Sequence, residues 1–448
     1  MRRIDRTRRQ ALGQRRFTVR VWAVLGLVLL AAGIGAVVAR STGNGALLAT
    51  ITVGPNPGRV AVDGRTGRAF VIGPGLPGQS SVAAGTVSIL DTRTNRLLRT
   101  VIVGTNPSTV VVDARRRRVF VGDTNDGTVR LLDAQSGVVV RTIMVGSPVG
   151  VMAVDEQTAR LFVPNPGAGT VSVVDTSSGA TVATVTLGNQ PQQAVVDEQT
   201  GRVFVTNGDG HVSVLDAHSG ALQPQGAAKL GPTRLDSEMT IAVSQRTGRV
   251  FVADPVGGTV SMLDGRSGVR VRTIAVGTYP TALVVDEHTR RVFVGNRSSH
   301  TVTVLDARTG ARLYTVSVPS VPMDLTVDPH TDQVLVTLSG PTDLKPSRPD
   351  VYLGAPVGGG SVDVLDGRSG QVLRTIQVGV LPVMTAVDPA TGRAFVVNSN
   401  STSVPPHDGW GSQTLRALKR GLPWLPIIPS QAPSTTHGSV SVFDSTHR

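Results

Sequence analysis

The chain has 448 residues, 40% of them hydrophobic and 17% charged, and this balance excludes a largely disordered protein. It has no cysteine, which excludes disulfides, thiolate metal sites and cysteine nucleophiles. Glycine occurs 51 times and proline 28 times, so the sequence predicts many turns and few long helices.

The net charge of +13 is concentrated at the N-terminus. Residues 1–20 hold eight arginines and one acid, Asp5, and the rest of the chain holds 36 basic and 30 acidic side chains. This second excess is small and spread out, so the sequence predicts no nucleic-acid partner. The one basic run, Arg115–Arg118, is interpreted as an exposed hairpin turn.

Residues 21–39 contain no charged side chain. As a helix this stretch spans roughly 28 Å, close to the hydrocarbon core of about 30 Å. Because the arginine cluster precedes it, we expect a basic cytoplasmic segment (1–20), a transmembrane signal anchor (21–39) and a linker (40–45). Residues 46–448 then lie outside the cytoplasm, in the periplasm or at the cell surface. The alternative is cleavage after Ala39 and secretion.

The rest of the chain repeats with a period near 42 residues. One phrase, such as TVSILD, ends in an aspartate eight times, at Asp91, Asp133, Asp175, Asp216, Asp264, Asp306, Asp366 and Asp444. A second, such as VAVDGRTGRAFV, also occurs eight times, with Asp63, Asp113, Asp155, Asp197, Ser244, Asp286, Asp328 and Asp388 at its fourth position. A third, such as LLRTVIVG, precedes a loop that usually ends in proline. Their alternating, valine-rich pattern predicts strands A and B (second phrase), C (first) and D (third).

Four strands per repeat indicate the blade of an all-β propeller with eight four-stranded blades. The first D strand, 46–53, comes before any A strand, and the last A–B–C set has no D strand after it. We therefore expect the N-terminal strand to close the last blade beside residues 439–444. It starts at the face of the C–D turns, and the linker 40–45 reaches at most about 20 Å, so that face is expected near the membrane.

The repeats resemble the YVTN-type β-propeller family of extracytoplasmic proteins. The signature stands as Phe204-Val205-Thr206-Asn207, with variants at 293–296 and 395–398, and a VG-x-x-P loop recurs at 53–57, 103–107 and 276–280. The resemblance covers residues 46–444. It implies a fold and an extracytoplasmic location, and it implies seven blades as the alternative to the eight counted. It implies no catalytic set.

The repeated aspartates begin turns, so we interpret them as turn caps rather than as calcium ligands or catalytic groups. The polar residues that end strand B receive the same interpretation: Asp123, Asn165, Asn207, Asp254, Asn296 and Asn398. None of the eight histidines forms a close-spaced metal motif, so no metal and no cofactor are predicted.

Three insertions between strands B and C interrupt the repeat, at 73–85, 339–360 and 399–438. They fall in blades 1, 7 and 8, which become neighbours when the ring closes, and they share one face with the D–A loops. The longest holds a predicted amphipathic helix, 412–421. On this inserted face we predict contact residues for a protein or small-molecule ligand at Trp410, Arg416, Lys419, Arg420, Trp424, Tyr352, Lys345 and Arg348.

The sequence thus predicts a membrane-anchored, extracytoplasmic binding or protein-interaction scaffold. The alternative is a propeller enzyme acting on a small molecule, lactonase-like or lyase-like, which a convergent cluster of non-repeating polar residues at the ring axis would favour. A quinone-cofactor dehydrogenase is disfavoured, because the docking tryptophan of that family is replaced at every equivalent position: Arg99, Arg141, Ala183, Pro224, Arg272, Tyr314 and Arg374.

Overall fold

The computed structural model describes residues 47–74, 84–188, 190–223, 228–230, 239–340, 359–399 and 437–446. The chain divides into the units Met1–Ala39 and Arg40–Arg448, and the described residues all belong to the second. Within these ranges no helix has the length and apolar character needed to cross a membrane. The predicted segments 1–20, 21–39 and 40–45 lie outside the described residues.

The described residues form thirty-two strands in eight four-stranded antiparallel sheets. The strands of the first half are β1 (Ala49–Pro55), β2 (Arg59–Asp63), β3 (Arg68–Gly73), β4 (Gly85–Asp91), β5 (Arg96–Gly104), β6 (Pro107–Asp113), β7 (Arg118–Asp123), β8 (Thr128–Asp133), β9 (Val139–Met144), β10 (Ala153–Asp155), β11 (Arg160–Asn165), β12 (Thr170–Asp175), β13 (Thr181–Thr186), β14 (Pro191–Asp197), β15 (Arg202–Asn207) and β16 (His211–Asp216). Those of the second half are β17 (Ala228–Lys229), β18 (Thr240–Ser244), β19 (Arg249–Asp254), β20 (Thr259–Asp264), β21 (Arg270–Ala275), β22 (Pro280–Asp286), β23 (Arg291–Asn296), β24 (Thr301–Asp306), β25 (Arg312–Ser317), β26 (Pro322–Val327), β27 (Gln333–Leu338), β28 (Ser361–Asp366), β29 (Val372–Gln377), β30 (Pro382–Asp388), β31 (Arg393–Asn398) and β32 (His437–Asp444).

Each sheet is one blade, with strands A to D in order from the ring axis outward. Blades 1 to 7 take four consecutive strands each, from β2–β5 to β26–β29, and blade 8 combines β30, β31 and β32 with β1. The A strands of neighbouring blades contact each other around the axis, and the contact of β2 with β30 closes the ring. The eight blades predicted from the repeats are confirmed, and the alternative of seven is wrong.

The predicted closing strand is confirmed. β1 pairs antiparallel with β32, with Ala49 opposite Val442 and Ile51 opposite Val440. The N–H of Leu48 adds a hydrogen bond of 2.7 Å to the carbonyl of Val442. The strand is placed slightly later than predicted, at Ala49–Pro55 instead of 46–53. Without it the outer edge of β32 would present unpaired backbone groups.

The apolar core is divided into eight clusters, one in each gap between two neighbouring blades. The largest fully buried members are eight phenylalanines. Seven come from strand B, namely Phe70, Phe120, Phe162, Phe204, Phe251, Phe293 and Phe395, and the eighth, Phe443, comes from strand C of blade 8. Burying one such side chain contributes about 1.5–3 kcal/mol. Because every cluster is shared by two blades, no blade has a core of its own, and the ring must be complete to be stable.

Arginine occupies four of the seven outer-strand positions where quinone-enzyme repeats carry tryptophan: Arg99, Arg141, Arg272 and Arg374. Arg141 donates to the carbonyl of Ser178 at 2.9 Å, and Arg272 donates to that of Thr309 at 3.3 Å. Each acceptor lies in the C–D turn of the next blade. These arginines therefore join neighbouring blades by hydrogen bonds, so the blades need no stacked aromatic ring at this position.

The three insertions leave the ring at one face, as predicted. They join β3 to β4, β27 to β28 and β31 to β32, in blades 1, 7 and 8, which are neighbours. Residues 75–83, 341–358 and 400–436 lie outside the described residues.

Candidate functional site

The repeated aspartates are turn caps, as predicted. At the end of strand C, Oδ1 of Asp91 accepts hydrogen bonds from the N–H groups of Arg93 (3.0 Å) and Thr94 (2.8 Å). At the end of strand A, Oδ1 of Asp63 accepts from Arg65 at 3.0 Å. At the end of strand B, Oδ2 of Asp123 accepts from two N–H groups of the preceding D–A loop, at 2.7 and 2.8 Å. These carboxylates hold the backbone of the turns.

The A strands, which are innermost in each blade, carry mainly apolar side chains. Two positions before the A–B turn, the side chains are half-buried and nearly all apolar: Ala61, Val111, Ala153, Val195, Ala242, Val284, Thr326 and Ala386. Apart from the hydroxyl of Thr326, these side chains supply no polar or ionisable group.

The position four residues before the A–B turn differs from blade to blade. It holds Arg59, Thr109, Val151, Gln193, Thr240, Ala282, Asp324 and Met384 in blades 1 to 8. Asp324 and Arg59 are its charged members, and both are half-buried. Since strand A starts at the D–A loops, this position lies toward the inserted face. The pair sits in blades 7 and 1, on either side of blade 8.

Asp324 is held by the inner strand of blade 8. Its Oδ2 accepts a hydrogen bond of 2.9 Å from the N–H of Thr385. Thr326 donates to the carbonyl of Thr385 at 2.7 Å, and the buried hydroxyls of Thr385 and Thr337 are 2.7 Å apart. In the other seven blades the position of Thr385 is apolar. This polar network is therefore specific to the junction of blades 7 and 8.

Burial raises the pKa of Asp324 to about 6. The hydrogen bond from Thr385 and the positive charge of Arg59 act in the opposite direction, and burial outweighs them. A carboxyl group with such a pKa is present in both protonation states near neutral pH, so it can accept or donate a proton. We take Asp324, Thr385 and Arg59 as the axial site.

The predicted contact residues cannot be placed relative to the axial site. Trp410, Arg416, Lys419, Arg420, Trp424, Tyr352, Lys345 and Arg348 all lie outside the described residues, as does the predicted helix 412–421. The ends of the insertions are described, and they are packed on the ring. A Cβ atom on Gly438 would lie 2.0 Å from Cδ of Pro57, so the chain enters β32 in close contact with the start of blade 1.

No metal centre is found in the described ranges, where no three His, Asp or Glu side chains come together as ligands. His211 Nδ1 lies 2.8 Å from Oδ2 of Asp209, and His288 contacts Asp332. Asp332 also pairs with Arg368 at 3.2 Å, so its carboxylate bridges two basic side chains.

Sequence reasoning missed the axial site, since its residues come from three different repeats. The sequence did contain a signal: four residues before the A–B turn, blades 1 and 7 carry the charged residues Arg59 and Asp324, whereas the other six blades carry a neutral residue. Connecting Arg59 with Asp324, however, requires knowing that blade 7 is two blades from blade 1 around the ring.

Comparison with known proteins supports the fold. The family model described as outer membrane protein assembly factor BamB matches residues 126–344. No relative of the chain was found among curated proteins.

Among solved structures, the chain is similar to dihydro-heme d1 dehydrogenase NirN in complex with DHE, at 13% identity over 78% of this chain and 73% of that chain, with a TM-score of 0.59. It is similar to the computationally designed Ika8 protein at 17% identity over 80% and 98%, with a TM-score of 0.59. A chain of the mitotic checkpoint complex gives 16% identity over 66% and 84%, with a TM-score of 0.51. At these identities the similarity shows the β-propeller fold alone.

Proposed function

We propose that the chain is a membrane-anchored, extracytoplasmic β-propeller that binds a protein or small-molecule ligand on its inserted face. One observation carries this proposal: three insertions leave the ring in three adjacent blades, around the axial site. Loops on a rigid scaffold are where recognition is commonly built. Eight shared core clusters and a closed ring make that scaffold rigid.

The proposed location rests on the sequence. Eight arginines precede the apolar stretch 21–39, and this order favours an N-terminus in the cytoplasm and a propeller outside it. A match to a model named for outer membrane assembly agrees with a role in the cell envelope. The YVTN-type motifs, such as 204–207, support the same placement, and membership of that family is part of the proposal.

The proposed contact residues combine two tryptophans with basic side chains. Trp410 and Trp424 occur in the longest insertion together with Arg416, Lys419 and Arg420, and the insertion of blade 7 adds Lys345, Arg348 and Tyr352. Aromatic and arginine side chains dominate the binding energy of many protein interfaces. A partner with an acidic, partly apolar surface fits this composition.

The test is a pull-down from detergent-solubilised membranes with the full-length protein as bait. Replacing residues 400–436 by a short Gly-Ser linker preserves both β31 and β32, so the ring stays closed. We expect this variant, and the double variant Trp410→Ala/Trp424→Ala, to lose partners that the parent protein retains. Replacing 75–83 in the same way is the matched control, because the insertion of blade 1 carries none of the proposed contact residues, and this variant should keep the partners that the other two lose. An unchanged partner list for every variant would show that the insertions are not the binding surface.

A second candidate function is catalysis on a small molecule, such as a lactone, at the axial site. The observation in its favour is the carboxyl group of Asp324, with its pKa near 6, in the field of Arg59. Asp324 would move the proton and Arg59 would stabilise negative charge on the substrate. Hydrolysis of a lactone panel by the full-length protein, abolished by Asp324→Asn, would support it. A quinone-dependent dehydrogenase fits less well, because none of the seven equivalent positions holds tryptophan.

A further inference from the structure

Three neighbouring A strands carry a negative, an apolar and a positive side chain at the same position. Four residues before the A–B turn, blade 7 has Asp324, blade 8 has Met384 and blade 1 has Arg59. All three residues are half-buried. Their strands, β26, β30 and β2, contact one another in that order around the ring. The innermost strands therefore hold two opposite charges on either side of one apolar side chain.

The two charges are exceptional among the inner strands. Apart from the aspartates that begin the A–B turns, Asp324 and Arg59 are the charged residues of the described A strands. The five remaining blades hold a neutral residue at the same position: Thr109, Val151, Gln193, Thr240 and Ala282. Since those blades pack around the ring without a charge there, the packing of the repeat does not require either one.

Arg59 and Asp324 do not form an ion pair with each other. Among the described residues no carboxylate oxygen lies within 4.0 Å of the guanidinium group of Arg59. Burial raises the pKa of Asp324 to about 6, and the charge of Arg59 is one of the effects that oppose this rise. The two groups thus interact through space without direct contact, so each charged end can still bind a third group.

The hydrogen bonds of Asp324 come from neutral groups. Its Oδ2 accepts the N–H of Thr385 at 2.9 Å, and the hydroxyl of Thr326 lies 3.5 Å from the same oxygen. In the part of the chain that the structure describes, no Lys, Arg or His nitrogen lies within 4.0 Å of this carboxylate. The bond from Thr385 fixes the direction of the carboxylate, so a cation can bind it at little cost in side-chain entropy.

The same three blades carry the insertions. These join strand B to strand C in blades 1, 7 and 8, on the face where the A strands begin. Asp324, Met384 and Arg59 lie near the beginning of their strands, toward that face. The side chains and the loops that depart from the repeat therefore occupy one sector of the ring, and a ligand bound at these side chains adjoins the surface proposed for recognition.

We propose that the axial site binds a small zwitterion whose ammonium and carboxylate groups are separated by an apolar spacer, as in an ω-amino acid. The ammonium group pairs with Asp324, the carboxylate pairs with Arg59, and the spacer lies against Met384. This inference rests on the small-molecule part of the proposed function and names its ligand class. At an effective dielectric of about 20, a charge pair is roughly four times stronger than in bulk water, so a ligand that satisfies both charges is favoured over one that satisfies a single charge.

The test measures the binding of a homologous series of ω-amino acids by isothermal titration calorimetry. The ligands are β-alanine, γ-aminobutyrate, δ-aminovalerate and ε-aminocaproate, titrated into the full-length protein in a non-ionic detergent and a buffer that is not itself a zwitterion. The pH is held near 8, where Asp324 is ionised because its pKa is about 6. Each ligand has an amide and an N-acetyl derivative, which keep only the positive or only the negative charge.

Each charge of the site can be removed by a substitution of similar size. Asp324→Asn still offers an oxygen to the N–H of Thr385, and it should weaken the binding of the zwitterion and of its amide derivative but not that of its N-acetyl derivative. Arg59→Gln should do the reverse for the two derivatives. We expect each variant to bind the zwitterion about 10- to 100-fold more weakly than the parent protein. Arg65→Gln is the matched control and should bind like the parent, because Arg65 is exposed in the A–B turn at the other end of β2.

One length of the series should bind most tightly, and blocking either of its charges should lower the affinity at least about 10-fold. A zwitterion that binds no more tightly than its singly charged derivatives, or that keeps its affinity in both variants, would overturn the inference. The pull-down with the insertion variants separates this result from the proposed function. If no member of the series binds while the replacement of 400–436 removes partners, the ligand class is wrong and the proposed binding surface stands. If the series binds while the partner list is unchanged, the axial site is supported and the proposed binding surface is wrong.

Discussion

The N–H of Thr385 in blade 8 donates a hydrogen bond of 2.9 Å to Oδ2 of Asp324 in blade 7. This bond links the inner strands of two neighbouring blades. Among the described A strands, it is the only hydrogen bond between two such strands in which a carboxylate takes part. The same contact fixes the direction in which Asp324 points.

Asp324 is expected to weaken folding at neutral pH. Burial raises its folded-state pKa to about 6 from the usual 3.8, so the carboxyl group ionises more readily in the unfolded state. Below about pH 4 it is protonated in both states and costs nothing; as the pH rises through 6, about 3 kcal/mol of stability is lost. Asp324→Asn should therefore raise the Tm of the full-length protein in detergent above pH 6 and leave it unchanged at pH 4.

Asp366 is the control of opposite sign. Hydrogen bonds from Ser369 lower its pKa, so it contributes stability above the unfolded pKa and loses that contribution as the pH falls. Asp366→Asn should lower the Tm at neutral pH and approach the parent at low pH. Shifts of the same sign for both variants would contradict the assignment of Asp324.

Arg374 should contribute measurably to the junction of blades 7 and 8. It is half-buried, and its Nη2 donates to the carbonyls of Asp444 and Ser445, both at 3.0 Å. Arg374→Ala should lower the free energy of unfolding by about 1–3 kcal/mol, measured by urea denaturation. Arg99 has the equivalent position in blade 1 but is exposed, with a single contact of 3.4 Å, so Arg99→Ala should change it by less than about 0.5 kcal/mol.

Substitutions in the closing strand β1 should lower stability only on its buried face. Ile51 is 7% exposed and belongs to the cluster between blades 8 and 1, whereas Thr52 on the same strand is exposed. Ile51→Ala should destabilise the protein by about 2–5 kcal/mol and Thr52→Ala by well under 1 kcal/mol, again by urea denaturation. Equal small effects would mean that β1 does not close the ring in solution.

Gly438 should not tolerate a side chain. Its Cβ would lie 2.0 Å from the ring of Pro57, which cannot move without shifting the D–A loop, so Gly438→Ala should cost about 1–3 kcal/mol. Gly58→Ala is the matched control, because a Cβ there meets nothing within 4 Å. A Tm for Gly438→Ala as high as that of the control would show that the insertion leaves the ring by another path.

The ring could be predicted because each blade is specified by a short sequence motif that recurs in every repeat. Each turn aspartate, such as Asp91, and each strand B phenylalanine, such as Phe204, reports on its own blade, and eight copies allow a count. Closure by β1 followed from one surplus D strand before the first repeat and one missing D strand after the last. For the insertions, the sequence predicted the face of the ring at which they leave it but not how they pack.

The axial site could not be predicted because its residues come from three different blades and meet only in the closed ring. Thr385 and Asp324 are 61 positions apart, and although each departs from the residue type of the other blades, nothing in either strand connects the two. The raised pKa arises from burial at the ring axis, which no pattern within one repeat encodes. The arginines of the outer strands show a related limit, since their sequence positions reveal a missing tryptophan but give no indication of the hydrogen bond in its place.

The pairing of β1 with β32 also determines how the propeller resists force. With the proposed anchor at the N-terminus and a partner held on the opposite face, tension would run along the axis of β1. Hydrogen bonds of an antiparallel pair lie perpendicular to the strands, so those from Ala49 to Thr52 would be loaded together and would have to break at once. Pulling the two chain ends apart would instead open the same strands one bond at a time, from Leu48 and Val442 upward. The pairing of β1 with β32 would thus resist a pull between the proposed anchor and the inserted face more strongly than a pull between the two chain ends.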